Sequence, residues 1–263
     1  MRESRMYLEK FDLSGRTALV TGGSQGIGLA CVEALCEAQA KVILTDISAE
    51  AVEIGKTHLA NKGYQVNGRV MDVTDSAAIE TVATDLEAAE TPIDILICNA
   101  GIAQAGIAGE EMDDSDWLRM MDVNLNGVFR CCRTFGRSMV ARRSGTIVNI
   151  GSMSGDIVNV PQQQAHYNAA KAGVHHLTRS FAVEWAEKGV RINAVAPTYV
   201  NTPLLNFARN DDPELYAEWM SRTPMKRAGE PEEIASVVLF LASAASSLLT
   251  GSIVAADGGY TCI

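Results

Sequence analysis

The sequence predicts an α/β fold: a single doubly wound, parallel, seven-stranded sheet with helices on both faces. Three observations carry that expectation. Short apolar runs alternate with segments of helical period along the chain, the pattern of a parallel sheet covered by crossover helices. A length of 263 residues with 47% hydrophobic content suits one large core better than two small domains. A glycine-rich segment stands between the first apolar run and the first helical pattern, where such folds turn tightly.

Residues 1–12 read as a polar arm, because Met1 to Lys10 mixes both charges and lacks the apolar stretch of a leader. Residues 13–263 form the single domain. Its first strand is Ala18-Leu19-Val20, followed by a helix from Ile27 to Ala40 and a second strand at Val42-Ile43-Leu44. Further strands are predicted at Gly68 to Met71, Ile95 to Cys98, Thr146 to Ile150, Arg191 to Val195 and Ser252 to Ala255. Helices are predicted near Ala49 to Lys62, Ser76 to Ala89, Asp114 to Arg142, His166 to Lys188 and Pro231 to Ala242. Pro231 suits a first helical turn. The stretch 202–229 holds Pro203, Pro213 and Pro224 around a helical middle, so it is expected to cover the sheet edge as a substrate lid.

The net charge of −10, with no basic cluster against it, disfavours a nucleic-acid partner and suits a protein acting on small molecules. No run reaches the roughly 18 apolar residues of a membrane span, even from Ile234 to Leu249. A cytoplasmic location without membrane residence is expected. The six cysteines, Cys31, Cys36, Cys98, Cys131, Cys132 and Cys262, form no Cys-x-x-Cys pattern and read as reduced core residues.

Thr21-Gly22-Gly23-Ser24-Gln25-Gly26-Ile27-Gly28 follows the first strand and opens the first helix. Glycines there let the backbone approach a pyrophosphate, and the helix N-terminus attracts its charge. Gly22, Ser24, Gln25, Gly26, Ile27 and Gly28 are therefore expected to cradle a dinucleotide, which makes the sheet Rossmann-type. Asp46 closes the second strand 18 residues after Gly28, where a carboxylate can accept hydrogen bonds from ribose hydroxyls and repel a 2′-phosphate. Neither the loop nor Ile47-Ser48 offers a cation for that phosphate, and Lys41 sits at the other end of its strand. NAD is predicted over NADP. The alternative role for Asp46 is a helix N-cap, which Ser48 can fill instead.

In Tyr167-Asn168-Ala169-Ala170-Lys171, phenol and ammonium stand one helical turn apart. A free tyrosine ionises near pH 10, so a tyrosine base near neutrality needs a shift of about three units, roughly 4 kcal/mol of phenolate stabilisation. Lys171 can supply much of it.

Together these residues resemble the short-chain dehydrogenase/reductase family, and the likeness runs from about Leu13 to Gly259. It implies hydride transfer between a carbon bearing oxygen and nicotinamide, with Tyr167 as proton acceptor and Lys171 lowering its pKa and binding the nicotinamide ribose. It further implies that Asp72 and Val73 contact adenine, and that Asn99 and Gly101 of Asn99-Ala100-Gly101 line the cofactor. Asn124 resembles the family's helix asparagine, which holds a water linked to the lysine. Pro197, Val200 and Thr202 would hold the nicotinamide amide, although Thr198 replaces the usual glycine in that loop and threonine tolerates positive φ poorly. Ala255 to Gly259 resembles the closing strand and turn.

Two serines compete for the catalytic role. Alignment on Asn149-Ile150-Gly151-Ser152 selects Ser152, with two residues inserted before Tyr167; the family's usual spacing to the tyrosine selects Ser154. Ser152 is preferred because the strand end fixes it while the following loop can lengthen.

Local motifs, from Gly151-Ser152-Met153-Ser154-Gly155 through Asn159, Pro161-Gln162 and Glu184-Trp185-Ala186, resemble sugar-alcohol dehydrogenases of the galactitol and arabinitol type. That likeness implies a polyol or ketose substrate bound by Ser152, Ser154, Asn159, Gln162 and Tyr167, groups able to meet several hydroxyls. The alternatives are a 3-oxoacyl thioester or other ketone reductase, or a non-catalytic NAD-binding regulatory protein. No metal site is expected: His166, His175 and His176 read as packing or interface residues and His58 as a solvated one. The family is commonly tetrameric, and the apolar surface of the helices at 114–142 and 166–188 agrees with homotetramer formation.

Overall fold

The computed structural model describes residues 6–203, 205, 209–210 and 212–263. The first five residues of the expected arm, and residues 204, 206–208 and 211 of the expected lid, lie outside the described residues. From Met6 the arm is a short helix, α1 (Met6–Glu9).

Seven parallel strands form the sheet: β1 (Thr17–Thr21), β2 (Lys41–Asp46), β3 (Asn67–Val70), β4 (Ile95–Cys98), β5 (Gly145–Ile150), β6 (Val190–Pro197) and β7 (Ile253–Ala256). Their spatial order is β3-β2-β1-β4-β5-β6-β7, so the winding reverses between β1 and β4. In open parallel sheets the crevice beyond the carboxyl ends at such a reversal is where ligands bind.

Strand alternation assigns each face its helices. Ala18, Val20, Val42, Leu44, Ile95, Ile97, Val148 and Ile150 point to a core shared with α2 (Gly26–Glu37), α3 (Ala49–Asn61) and α9 (Pro231–Ala242). Leu19, Ile43, Leu96 and Ile147 point to the other face, against α4 (Ser76–Ala88), α6 (Gly127–Arg142) and α7 (Ala165–Trp185). Ser48 caps α3 by accepting the Ala51 N–H at 3.2 Å, which frees Asp46 from that role. Pro231 occupies the first turn of α9, behind a capping box of Glu230 and Glu233.

Three expectations need correction. The helix predicted over 114–142 is interrupted: α5 (Asp114–Met121) passes through a π-helical turn (Asp122–Asn126) into α6. The apolar period cannot report this, because one extra residue in a turn leaves the local pattern helical. The helix predicted over 166–188 ends at Trp185 and finishes as a 3₁₀ turn at Ala186–Lys188. The cysteines are all free thiols, but Cys36 is only half-buried and Cys262, one residue from the carboxyl end, is exposed. Burial raises the Cys31 thiol to about 12, as expected of an inert core residue.

Within the expected lid, α8 (Pro213–Arg222) starts with Asp212 accepting the Leu215 N–H at 3.0 Å. It packs Trp219 with Leu205 and Ala228 in a small cluster separate from the two sheet cores.

Candidate active site

The glycine loop is shaped by what its backbone approaches. Gly22 and Gly26 adopt left-handed φ values of +62° and +53°, conformations that favour glycine. A Cβ on Gly28 would stand 2.1 Å from the Gly22 carbonyl oxygen, so α2 can dock on the loop only with a bare Cα. Gln25 occupies the α2 N-cap without a side-chain capping bond, which leaves the first-turn N–H groups, those of Ile27 and Gly28 among them, directed beyond the helix end. This backbone cradle fits the pyrophosphate of a nicotinamide dinucleotide.

Asp46 lies beside the cradle. One carboxylate oxygen accepts the Ser24 N–H at 3.3 Å and the Ser24 hydroxyl, and the other accepts the Ile47 N–H at 2.8 Å. Further lone pairs remain for ribose hydroxyls. Asn99 ties the same loop to β4, its amide donating to the Thr21 and Gly22 carbonyls at 3.0 and 2.9 Å. Across the crevice, a Cβ on Gly26 would stand 3.2 Å from Thr202 Cγ2, so the glycine loop and the loop after β6 face each other.

Other expected cofactor contacts are committed locally. Asp72 accepts both the N–H and hydroxyl of Thr74 at 2.8 Å, and Val73 is buried against Gly127 of α6. Pro197 ends β6, Val200 bridges to Gly229, and Thr202 donates its hydroxyl to the Val200 carbonyl at 3.3 Å. Thr198 keeps a negative φ, so threonine in place of glycine leaves the loop unstrained.

The chemistry converges on α7 and the end of β5. The Ser152 hydroxyl stands close enough to the Tyr167 phenol to pull its pKa down. One turn along the helix, Lys171 is buried and donates to the Ile150 carbonyl oxygen at 2.8 Å, with its ammonium 5.7 Å from the Tyr167 ring centre. Ser152, not Ser154, is thus the serine on the tyrosine. Ser154 is buried two residues on, donating its hydroxyl to Asn159 Oδ1 at 2.6 Å and its N–H to the Ser152 hydroxyl at 3.1 Å.

Burial pushes the Tyr167 phenol above its ordinary value of 10, against the pull of the Ser152 hydroxyl. Burial also takes the Lys171 ammonium down from 10.5 to about 8. Without a bound cofactor, desolvation is the larger influence on both groups, and the phenol rests protonated.

Asn124 sits in the π-helical turn, fully buried. Its side-chain oxygen accepts the Ile102 N–H and its amide donates to the Ile102 carbonyl, both at 2.8 Å. The side chain is therefore spent on the loop after β4, and only the main chain is left for the water expected of it. Gly101 stands beside it, where a Cβ would lie 2.9 Å from Asn124 Oδ1.

The polar wall beyond Ser154 extends further than the sequence suggests. Asn159 and Gln162 both donate to the Tyr199 hydroxyl, at 3.3 and 2.9 Å, and Trp219 of α8 donates its indole N–H to Gln162 at 2.9 Å. Tyr199 stacks on Trp219 with ring centres 4.2 Å apart and meets the Tyr260 ring edge-on, with centres 5.9 Å apart. Tyr199, Trp219, Tyr260 and Gln164, which reaches Ser154 at 3.4 Å, were not anticipated. No local pattern marks them, because Trp219 lies 60 residues after Asn159 and Tyr260 a further 41 beyond Trp219.

Of the histidines, His176 and His58 are exposed, whereas His166 and His175 are buried. No group of three or more metal-ligating side chains occurs among the described residues. A cavity of about 360 Å³ behind the ends of β6 and β7 is lined by Thr198, Arg227, Glu233 and Asp257, away from the serine and tyrosine.

The family described as enoyl-(acyl carrier protein) reductase matches residues 22–261. Galactitol 2-dehydrogenase of Rhizobium johnstonii is 55% identical over 97% of this chain and 99% of its own length. The L-tagatose-forming galactitol 2-dehydrogenase of Cereibacter sphaeroides is 48% identical over 97% and 98%. The crystal structure of a gluconate 5-dehydrogenase from Burkholderia cenocepacia, in complex with NADP and tartrate, superposes with a TM-score of 0.91 at 34% identity, covering 97% of this chain and 99% of that one. With the cradle, the Ser152–Tyr167–Lys171 cluster and these relatives in agreement, the chain belongs to the short-chain dehydrogenase/reductase family of oxidoreductases acting on CH–OH groups.

Proposed function

We propose that this protein is an NAD-dependent polyol dehydrogenase that reversibly oxidises one secondary hydroxyl of galactitol, arabinitol or a similar sugar alcohol to a ketose. The observation that carries the reading is the continuous run of hydrogen-bonding groups from the Tyr167–Ser152 pair through Ser154, Asn159, Gln162 and Tyr199. A simple secondary alcohol needs one hydroxyl recognised; a polyol needs several. The two galactitol 2-dehydrogenases support the same substrate class.

When bound, the nicotinamide ring supplies the acceptor for the hydride that leaves the alcohol carbon. Ser152 hydrogen-bonds the substrate oxygen, and Tyr167, once its phenol proton has passed outward to solvent, takes the alcohol proton as the phenolate. In the reverse direction the resting, protonated phenol returns that proton to the ketone oxygen. Lys171 holds the end of β5 through Ile150 and offers its ammonium to the nicotinamide ribose. The main-chain carbonyl at Asn124, in the π-helical turn, is the group left to hold the water that carries the proton outward. Gly22, Ser24, Gln25, Gly26, Ile27 and Gly28 hold the pyrophosphate, Asp72, Val73, Asn99 and Gly101 the adenosine side, and Pro197, Val200 and Thr202 the nicotinamide amide.

Asp46 supports NAD, since a carboxylate there meets the ribose hydroxyls and repels a 2′-phosphate. The apolar residues exposed on α5, α6 and α7, Trp117, Leu118, Phe129 and Val183, support helix pairing in a homotetramer. The chain is read as cytoplasmic; no helix among the described residues is long and apolar enough to cross a membrane.

The test is reduced-cofactor formation with NAD and, separately, NADP, over galactitol, arabinitol, sorbitol and simple secondary alcohols. Polyols with NAD should turn over fastest. Tyr167→Phe should lower kcat by about 10²- to 10⁴-fold while cofactor affinity holds. Silence with every alcohol, or a Tyr167→Phe variant of near wild-type kcat, would sink the reading.

A further inference from the structure

Three residues of α7 at successive helical turns meet the segment after β5: Tyr167 reaches Ser152, Lys171 reaches Ile150, and His175 forms a third contact that the mechanism above leaves unused. Its imidazole is 2% exposed. Nδ1 lies 3.1 Å from Asp156 Oδ1, while Nε2 accepts the backbone N–H of Ser152 at 3.5 Å. The loop is built around the ring: a Cβ on Gly151 would stand 2.4 Å from Nε2, and one on Gly155 2.7 Å from Cε1. Both glycines bracketing the two serines thus leave room for this imidazole.

We propose that His175, held in one tautomer by Asp156, is a positioning residue that fixes Ser152 against Tyr167. The inference rests on Ser152 being the catalytic serine. A carboxylate accepts only from a protonated Nδ1, which leaves Nε2 as the acceptor that the Ser152 N–H requires. The loop then closes on itself, with Ser152 accepting the Gly155 N–H at 2.9 Å through its carbonyl and the Ser154 N–H at 3.1 Å through its hydroxyl. If the ring gains a second proton, Nε2 becomes a donor facing another donor, and the serine loses its anchor. The charged groups around the ring are Asp156 from the loop and Lys171 and Arg179 from its own helix. Burial lowers the imidazole pKa below 6.5 despite Asp156, so the working form is neutral.

The test compares Asp156→Asn, His175→Gln, His175→Leu and Ser152→Ala, using NAD with galactitol or whichever alcohol of the panel turns over. An asparagine at 156 keeps the contact but no longer dictates the tautomer, and the Asp156 side chain is 44% exposed, so folding is spared. Asp156→Asn and His175→Leu should lower kcat by about 10- to 100-fold, with NAD affinity and melting temperature unchanged for Asp156→Asn. His175→Gln should recover part of the loss and abolish a fall in kcat below pH 6.5. Nitrogen chemical shifts should show wild-type His175 protonated at Nδ1 alone, and a mixed population in Asp156→Asn. Wild-type kcat in Asp156→Asn, or a loss that merely tracks melting temperature, overturns the inference while Ser152→Ala remains inactive. An active Ser152→Ala overturns the serine assignment and this inference together.

Discussion

The two halves of the crevice are built on opposite plans. On the β1–β3 side, the wall is made of main chain: Gly22, Gly26 and Gly28 matter for atoms they lack, and one side chain, Asp46, stands beside them. On the β5–β7 side, the wall is made of side chains drawn from three separated stretches, with Ser154, Asn159, Tyr199, Gln162 and Trp219 bonded in series. A backbone site is specified by a local run of residues. A side-chain site exists only once the chain has folded, and each member can change without disturbing the cradle. The difference explains how one fold keeps its cofactor while its substrate varies.

The contrast predicts that the first half fails when atoms are added and the second when they are removed. Gly28→Ala should be the most damaging change, since its Cβ would fall 2.1 Å from the Gly22 oxygen. A loss of about 3 kcal/mol in stability and of measurable NAD binding is expected, read by urea unfolding and cofactor titration. Wild-type affinity in this variant would show that the cradle is not backbone-limited.

Lys171, at the seam, separates burial from chemistry. Its pKa falls from 10.5 in the unfolded chain to about 8 in the fold, so below pH 8 the native state carries the full penalty of a buried charge. Between pH 8 and 10 the unfolded state binds more protons, and that penalty is relieved. The unfolding free energy of the wild type, measured against Lys171→Met without cofactor, should therefore rise by about 2 kcal/mol over this window. Referring to the variant removes the opposing titration of buried thiols. A flat difference would show that the ammonium is better solvated than its position implies.

The mildest change belongs to the side-chain half. Trp219→Phe keeps a ring against Tyr199 but removes the indole N–H that Gln162 accepts at 2.9 Å. Loss of about 1 kcal/mol of ordering should raise the polyol KM by about five- to tenfold, with NAD affinity unchanged. Equal losses for polyol and NAD would erase the distinction between the halves.

The same contrast governs what was legible in the sequence. The seven strands and the glycine loop were readable because period, burial and turn chemistry agree locally over each short segment. The placement of Ser152 just past its strand end, and of Tyr167 and Lys171 one helical turn apart, was readable in the same local way. The π-helical turn that carries Asn124 was not readable, because its consequence lies in how the flanking helices face the sheet. Nor were Trp219, Tyr199 and His175: an aromatic in α8 or a histidine on a helix face acquires meaning only from the residue that folding brings opposite. The phenol's upward shift was missed for a related reason, since spacing shows the lysine beside the tyrosine but not how dry both become.

The reversal of winding also sets a schedule for synthesis. All five residues of β1 are buried, and its two neighbours are β2, which follows within 25 residues, and β4, which ends at Cys98. A chain emerging from its N-terminus can pair β1 on one side early, but carries a bare, apolar strand edge until residues 95–98 arrive to close the other. Throughout that interval the centre of the future sheet is a sticky edge open to neighbouring nascent chains, the kind of surface that holdase chaperones shield.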